Sequence, residues 1–179
     1  MSDAEDVAMD SGGEEPVYIS PIANPQLQGK TQKRSLKLLK RALALEKLAK
    51  QQRMEDASAV DTVLTRLVKR GVQDVTKAIR KGVQGVVLLA SDVHPVDVVA
   101  HLPVMCEDAS LAYAYVSSKR VISQFCQSKR PTCVVLVVKP PKDLAQRVKK
   151  LLPEKKDRLN YADLYEKVDK AIRASHPFL

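Results

Sequence analysis

The stretch KRGVQDVTKAIRKGVQGVVLLA, Lys69 to Ala90, changes its period halfway. Up to Gly82, Val72, Val75 and Ile79 recur three and four positions apart, the spacing of one face of a helix. Beyond Gly82 the chain becomes VVLLA, Val86 to Ala90, a continuous apolar run of strand length. A strand with no polar side needs cover on both faces of its sheet. The helix start itself is ordinary: Asp74 in the first turn complements the dipole, and Asp74 with Lys77 is an i, i+3 pair.

Working outward, two more runs have the same character, YAYV (Tyr113 to Val116) and CVVLVV (Cys133 to Val138). Helices are predicted between them, from Pro95 to His101 and on through Pro103 to Glu107, from Ser117 to Cys126, and over about Leu144 to Leu152. Upstream, Val60, Val63, Leu64, Leu67 and Val68 predict a helix over about Ala57 to Val68. Alternating strands and helices place the chain in the α/β class, as a three-layer α/β/α sandwich with a mixed sheet of about four strands plus N- and C-terminal helical extensions. The expected division is a disordered acidic arm over 1–29, a basic amphipathic helical extension over 30–56, the α/β/α domain over 57–153, and a linker with a terminal helix over 154–179. The proline- and asparagine-bearing part of the arm can alternatively dock as an extended segment. The last amphipathic stretch, Tyr161 to Ala174, either docks or binds a partner.

The 179 residues are long enough to bury a real core, and 45% of them are hydrophobic. Aromatic residues make up only 4%, with no Trp, so a platform that stacks several bases is excluded. Residues 1–16 hold six acids (Asp3, Glu5, Asp6, Asp10, Glu14, Glu15) and no base, which leaves 15 acids against 30 Lys and Arg in the remainder. Such an excess points to an anionic partner. Between Lys30 and Arg53 nine bases face one acid, Glu46, while Leu36, Leu39 and Leu43 keep helical spacing; this helix either caps the core or binds RNA or a partner. Cys106, Cys126 and Cys133 contain no CxxC pair, and His94, His101 and His176 form no ligand-spaced cluster with them, so neither a disulfide framework nor a metal site is expected. The first ten residues have no basic, apolar leader pattern, and no segment approaches a membrane span, so a reducing intracellular compartment and no membrane partner are expected.

The segment KRGVQDVTKAIRKGVQGVVLLASDVHPVDVVAHLPVMCEDASLAYAYVSSK resembles the kink-turn-binding ribosomal and ribonucleoprotein superfamily, without a gap from Lys69 to about Val138. SKRPTCVVLVV (Ser128 to Val138) and the basic N-terminal helix look most like that superfamily's H/ACA ribonucleoprotein subunit 2 branch. The resemblance implies a non-catalytic RNA-binding subunit that supports guide-RNA-directed pseudouridylation and ribosomal RNA processing in the nucleus and nucleolus. Implied partners are an H/ACA guide RNA and, through a small scaffold subunit, a dyskerin-type pseudouridine synthase; no cofactor, metal or small-molecule substrate is implied. The alternatives are a kink-turn protein of box C/D or spliceosomal particles or the ribosome, and a protein scaffold whose basic charge is incidental.

By motif position, Gln73, Asp74 and Lys77 correspond to the superfamily's RNA-contacting polar residues, with phosphate contacts expected from Lys69, Arg70, Lys119, Lys129 and Arg130. Gly71 lets an RNA backbone come close, and the helix that follows offers free N–H donors to a phosphate. Asp74 can accept from a guanine edge, and Lys77 can reach its carbonyl or a phosphate. The usual Asn-Glu pair is Gln73-Asp74 here, which lengthens one reach and shortens the next. Ser123 and Cys126 stand where glycine is common and are expected to narrow the approach of RNA. Asp92 is expected to cap a helix near Pro95, and His94 to be an exposed loop residue. A nucleophilic pair of Cys106 with His101 lacks an orienting third group.

Overall fold

The valine-rich runs form the middle of one sheet in the computed structural model, which describes residues 18–55, 64–151 and 160–177. β2 (Gly85–Ala90) pairs in parallel with β3 (Ala112–Val116) and antiparallel with β4 (Val134–Val138). β1 (Val68–Arg70) lies antiparallel to β4 at the edge, giving the order β1-β4-β2-β3. Every residue of β2 and β3 is buried, which requires the cover on both faces that their unbroken apolar sequence predicts.

Among the described residues the α-helices are α1 (Gly29–Glu55), α2 (Val72–Arg80), α3 (His101–Asp108), α4 (Lys119–Phe125), α5 (Leu144–Leu151) and α6 (Ala162–Ser175). α2 and α3 pack on one another and on the sheet, and α4 lies across β2, β3 and β4 against α1. α1 buries Leu36, Leu38, Leu39, Ala42, Leu45 and Ala49 in the same core as the strands, so it is a wall of the fold. α6 docks as well: it buries Tyr165, Val168 and Ile172 and packs on α1 and β3. Tyr161, just before it, donates to the Val138 carbonyl at 3.1 Å, and His176, just after it, meets the Tyr113 ring edge-on at 4.3 Å.

Two expectations need correction. Of the helix predicted over about 57–68, residues 57–63 lie outside the described residues, Leu64–Arg66 form one 3-10 turn, and Val68 already belongs to β1. The cause is long-range: the Val138 N–H donates to the Leu67 carbonyl at 2.9 Å, and this ladder overrides the local apolar spacing. Residues 18–28, expected within the disordered arm, take the docked alternative. The Leu27 N–H donates to the Tyr115 carbonyl at 2.8 Å and the Tyr115 N–H to the Pro25 carbonyl at 2.9 Å, so this segment lies along the outer edge of β3.

At Gly85 the sheet leaves no room for a side chain. A Cβ there would sit 2.4 Å from the Val137 carbonyl oxygen and 2.8 Å from Leu136 Cδ1. Gly85→Ala is expected to lower the free energy of unfolding by about 1–3 kcal/mol, the usual cost of overpacking, read as a lower urea midpoint at unchanged slope.

Candidate nucleic-acid interface

The strand register decides which loops meet. Arg70 pairs with Val135, Leu89 with Val134 and Ala90 with Val116. The carboxyl ends of β1, β2 and β3 and the start of β4 therefore share one end of the sheet. That end gathers the residues following β1, Asp92 after β2, Ser118 and Lys119 after β3, and the 127–133 loop before β4. Such carboxyl ends are where open α/β sheets present ligand sites.

At this end the chain turns through Gly71, whose φ of 88° and ψ of 155° suit glycine, and whose N–H donates to the Val134 carbonyl at 3.0 Å. No side chain caps the start of α2. Its first-turn N–H groups thus keep the unpaired character of a helix N-terminus. Nor does the expected i, i+3 pair form: among the described residues neither Asp74 nor Lys77 makes an ion pair. Both line an open cleft of about 760 Å³ between α1, β1 and α2. The same cleft receives Lys50, Arg66, Lys69, Arg70 and Lys81, against two carboxylates among the described residues, Asp74 and Glu46.

Glu46, the one acid between Lys30 and Arg53, was not among the residues expected at the site. It is 4% exposed. Its Oε2 accepts the Val68 N–H at 2.9 Å, while its Oε1 pairs with Lys50 and faces the Arg70 guanidinium at 3.8 Å. The cleft's second carboxylate is thereby neutralised within the protein, and the positive potential remains for an outside anion.

The other expected contacts sort by position. Lys69 and Arg70 line the cleft, and Gln73 is exposed on the first turn of α2. Lys119, Lys129 and Arg130 lie beyond the cleft's lining, at the shared end of the sheet. Asp92 does not cap near Pro95. Its Oδ1 accepts the Lys119 N–H at 2.7 Å and its Oδ2 the Ser118 hydroxyl at 3.0 Å, fastening the loop after β2 to the start of α4. No side chain caps the 3-10 turn after Pro95, and the N–H that reaches Asp92 is at the start of α4.

Ser123 and Cys126, expected to narrow the approach, are both buried. The Ser123 hydroxyl donates to the Lys119 carbonyl at 2.7 Å and accepts the Thr132 N–H at 2.8 Å, tying the basic loop to α4. Burial raises the Cys133 thiol, while nearby Lys119 draws it back down and Asp92 raises it. His94 is exposed and meets the Tyr18 ring edge-on at 5.4 Å. His101 is exposed beside the Thr76 hydroxyl at 3.2 Å, whereas Cys106 is buried, its thiol pushed up to about 12 by burial and by Glu107. Among the described residues no three side chains are grouped to hold a metal ion, and no helix is long and apolar enough to cross a membrane.

Fold and cleft together define a small mixed-sheet α/β protein with a cationic groove along its edge strand. The chain belongs to the ribosomal protein L7Ae/L30e/S12e/Gadd45 family, whose model matches residues 55–147. This is the superfamily expected from the Lys69–Val138 segment. An Arabidopsis thaliana protein named H/ACA ribonucleoprotein complex subunit 2-like is 37% identical over 125 residues, covering 70% of this chain and 67% of its own. The Bos taurus H/ACA ribonucleoprotein complex subunit 2 is 36% identical over 138 residues, covering 77% and 76%. Among solved structures, the Giardia lamblia 15.5kD RNA binding protein matches with a TM-score of 0.55 at 23% identity, covering 84% of this chain and 99% of that one, a likeness of fold.

Replacing Glu46 tests what holds the cleft's wall. Glu46→Ala leaves the buried Val68 N–H without an acceptor and is expected to cost about 2–3 kcal/mol in urea unfolding, whereas Glu46→Gln keeps an acceptor and costs about 1 kcal/mol.

Proposed function

We propose that this chain is a non-catalytic RNA-binding subunit of an H/ACA small nucleolar ribonucleoprotein, and that the end of the sheet around Gly71 is its RNA edge. One observation carries the reading: α2 opens without a side-chain cap at the lip of a basic cleft, with Asp74 unpaired among the described residues. The names of the 36% and 37% identical relatives support the particle assigned.

In this reading the first-turn N–H groups of α2 receive a phosphate. Asp74 accepts hydrogen bonds from the amino and imino groups of a guanine edge, Lys77 one turn on reaches the carbonyl of that base or a phosphate, and Gln73 serves a neighbouring base. Lys69, Arg70, Lys119, Lys129 and Arg130 bind the backbone and set orientation without reading sequence. The Ser123 bridge matters because it holds the loop carrying Lys129 and Arg130 against the helix that carries Lys119. The catalytic step, guide-directed pseudouridylation, belongs to a dyskerin-type synthase on another chain, reached through a small scaffold subunit. The particle's place is the nucleolus, where it also serves ribosomal RNA processing.

The combined Asp74→Ala, Lys77→Ala and Arg130→Ala protein is expected to melt like the wild type and to bind an H/ACA hairpin RNA about 10- to 100-fold more weakly, the cost of one good base contact plus phosphate contacts. Unchanged affinity at physiological salt would sink the RNA edge. Crosslinking of the tagged protein in cells, with sequencing of bound RNA, is expected to recover H/ACA guides; recovery of box C/D or ribosomal RNA instead would reassign the particle.

A further inference from the structure

A second groove, of about 730 Å³, lies on the α1 side of the molecule between that helix and the end of α4 at Phe125 to Gln127. We propose that it takes single-stranded RNA running on from the cleft beside β1; this rests on the reading of that cleft as the RNA edge.

α1 carries two stripes. One is the core stripe through Leu38, Leu39, Ala42, Leu45 and Ala49. The other runs Lys40, Leu43, Ala44, Lys47, Leu48 and Gln51, again at intervals of three and four, and all of it lines the groove. Leu43, Ala44 and Leu48 are half-buried and form an apolar floor, while Lys40 and Lys47 are exposed above it. The two lysines stand two helical turns apart, about 10.5 Å along the axis. Across from them, half-buried Phe125 supplies an aromatic side chain. An apolar floor with one ring and a cationic rim suits a base below and phosphates above.

Continuity decides for RNA over an acidic peptide. Lys50, Arg70 and Glu46 line both grooves, so these three form the ridge between them. Two of the three are cations, and the third is a buried carboxylate already engaged by Lys50, Arg70 and the Val68 N–H. A chain with regularly spaced phosphates crosses that ridge without meeting a free negative charge. An acidic peptide helix would fill one groove and gain nothing from the join. Phosphate contacts also need no sequence match, which suits a surface that extends a footprint begun elsewhere.

The test uses the full chain and two fluorescent RNAs, an H/ACA hairpin trimmed to its stem-loop and the same hairpin with a single-stranded flank. Lys40→Gln with Lys47→Gln is expected to weaken the flanked RNA about tenfold, to leave the trimmed RNA unchanged, and to reduce the log–log salt slope for the flanked RNA by about 1.4, two single-strand phosphate contacts. Phe125→Leu keeps an apolar side chain and is expected to lose about tenfold on the flanked RNA alone, as loss of one stacked base does. Thermal melting of each variant controls for folding. Unchanged affinity and slope for the flanked RNA overturn the groove, even if an acidic peptide then binds it. The two readings fail separately: a trimmed RNA indifferent to Asp74→Ala with Lys77→Ala removes the cleft, and a flanked RNA indifferent to the α1 variants removes only the groove.

Discussion

One carboxylate from the first helix takes a backbone N–H on the outer side of the sheet's edge strand. β1 has three residues and lies at the edge, with β4 on one side only, and Glu46 reaches across from α1 to take the Val68 N–H. Burying that carboxylate costs solvation, and a buried charge is tolerable only with partners. Lys50 and Arg70 are those partners, and they stand on the ridge between the two grooves. The interaction that fixes α1 to the sheet therefore also places two cations on the ridge the two grooves share. Stability and the charge of that surface are joined in one cluster.

Around that anchor the loops are held by bonds between residues far apart in sequence. Asp92 fastens the loop after β2 to α4, Ser123 fastens the loop before β4 to the same helix, and Val134 holds the turn at Gly71. Each bond joins a different loop to the next, so the shared end of the sheet is braced as a unit. A surface prepared in this way loses little conformational freedom on binding.

The sequence was most legible where period and burial agree. The change at Gly82 separates α2 from β2 because a helix stripe and a two-faced apolar strand have different periods, and the same reasoning finds β3 and β4. It failed at β1, where Val68 to Arg70 is only buried at its first residue and its partner lies at Val135 to Val137. Nothing local marks such a strand. Asp92 was read as a local cap because spacing shows only near neighbours, while its true partners are Ser118 and Lys119. Lys69, Arg70, Asp74 and Lys77 were found by motif, yet Lys50, Arg66 and Lys81 share their cleft through folding alone. Glu46 had one signal, an acid by itself among nine bases, and only burial reveals what it does.

The extended segment at Pro25 to Leu27 has a consequence for crowding. By pairing with Tyr115 it occupies the free side of β3, as Glu46 and α1 occupy that of β1. An open sheet edge is a template on which another chain can add a strand, and many copies of one protein held close together raise that hazard. Here the protein's own chain covers Tyr115 on one edge and the Val68 N–H on the other. Removing the segment up to Leu27 would expose a buried, alanine- and tyrosine-rich strand to its neighbours, so those few residues shield a sheet edge as well as complete the fold.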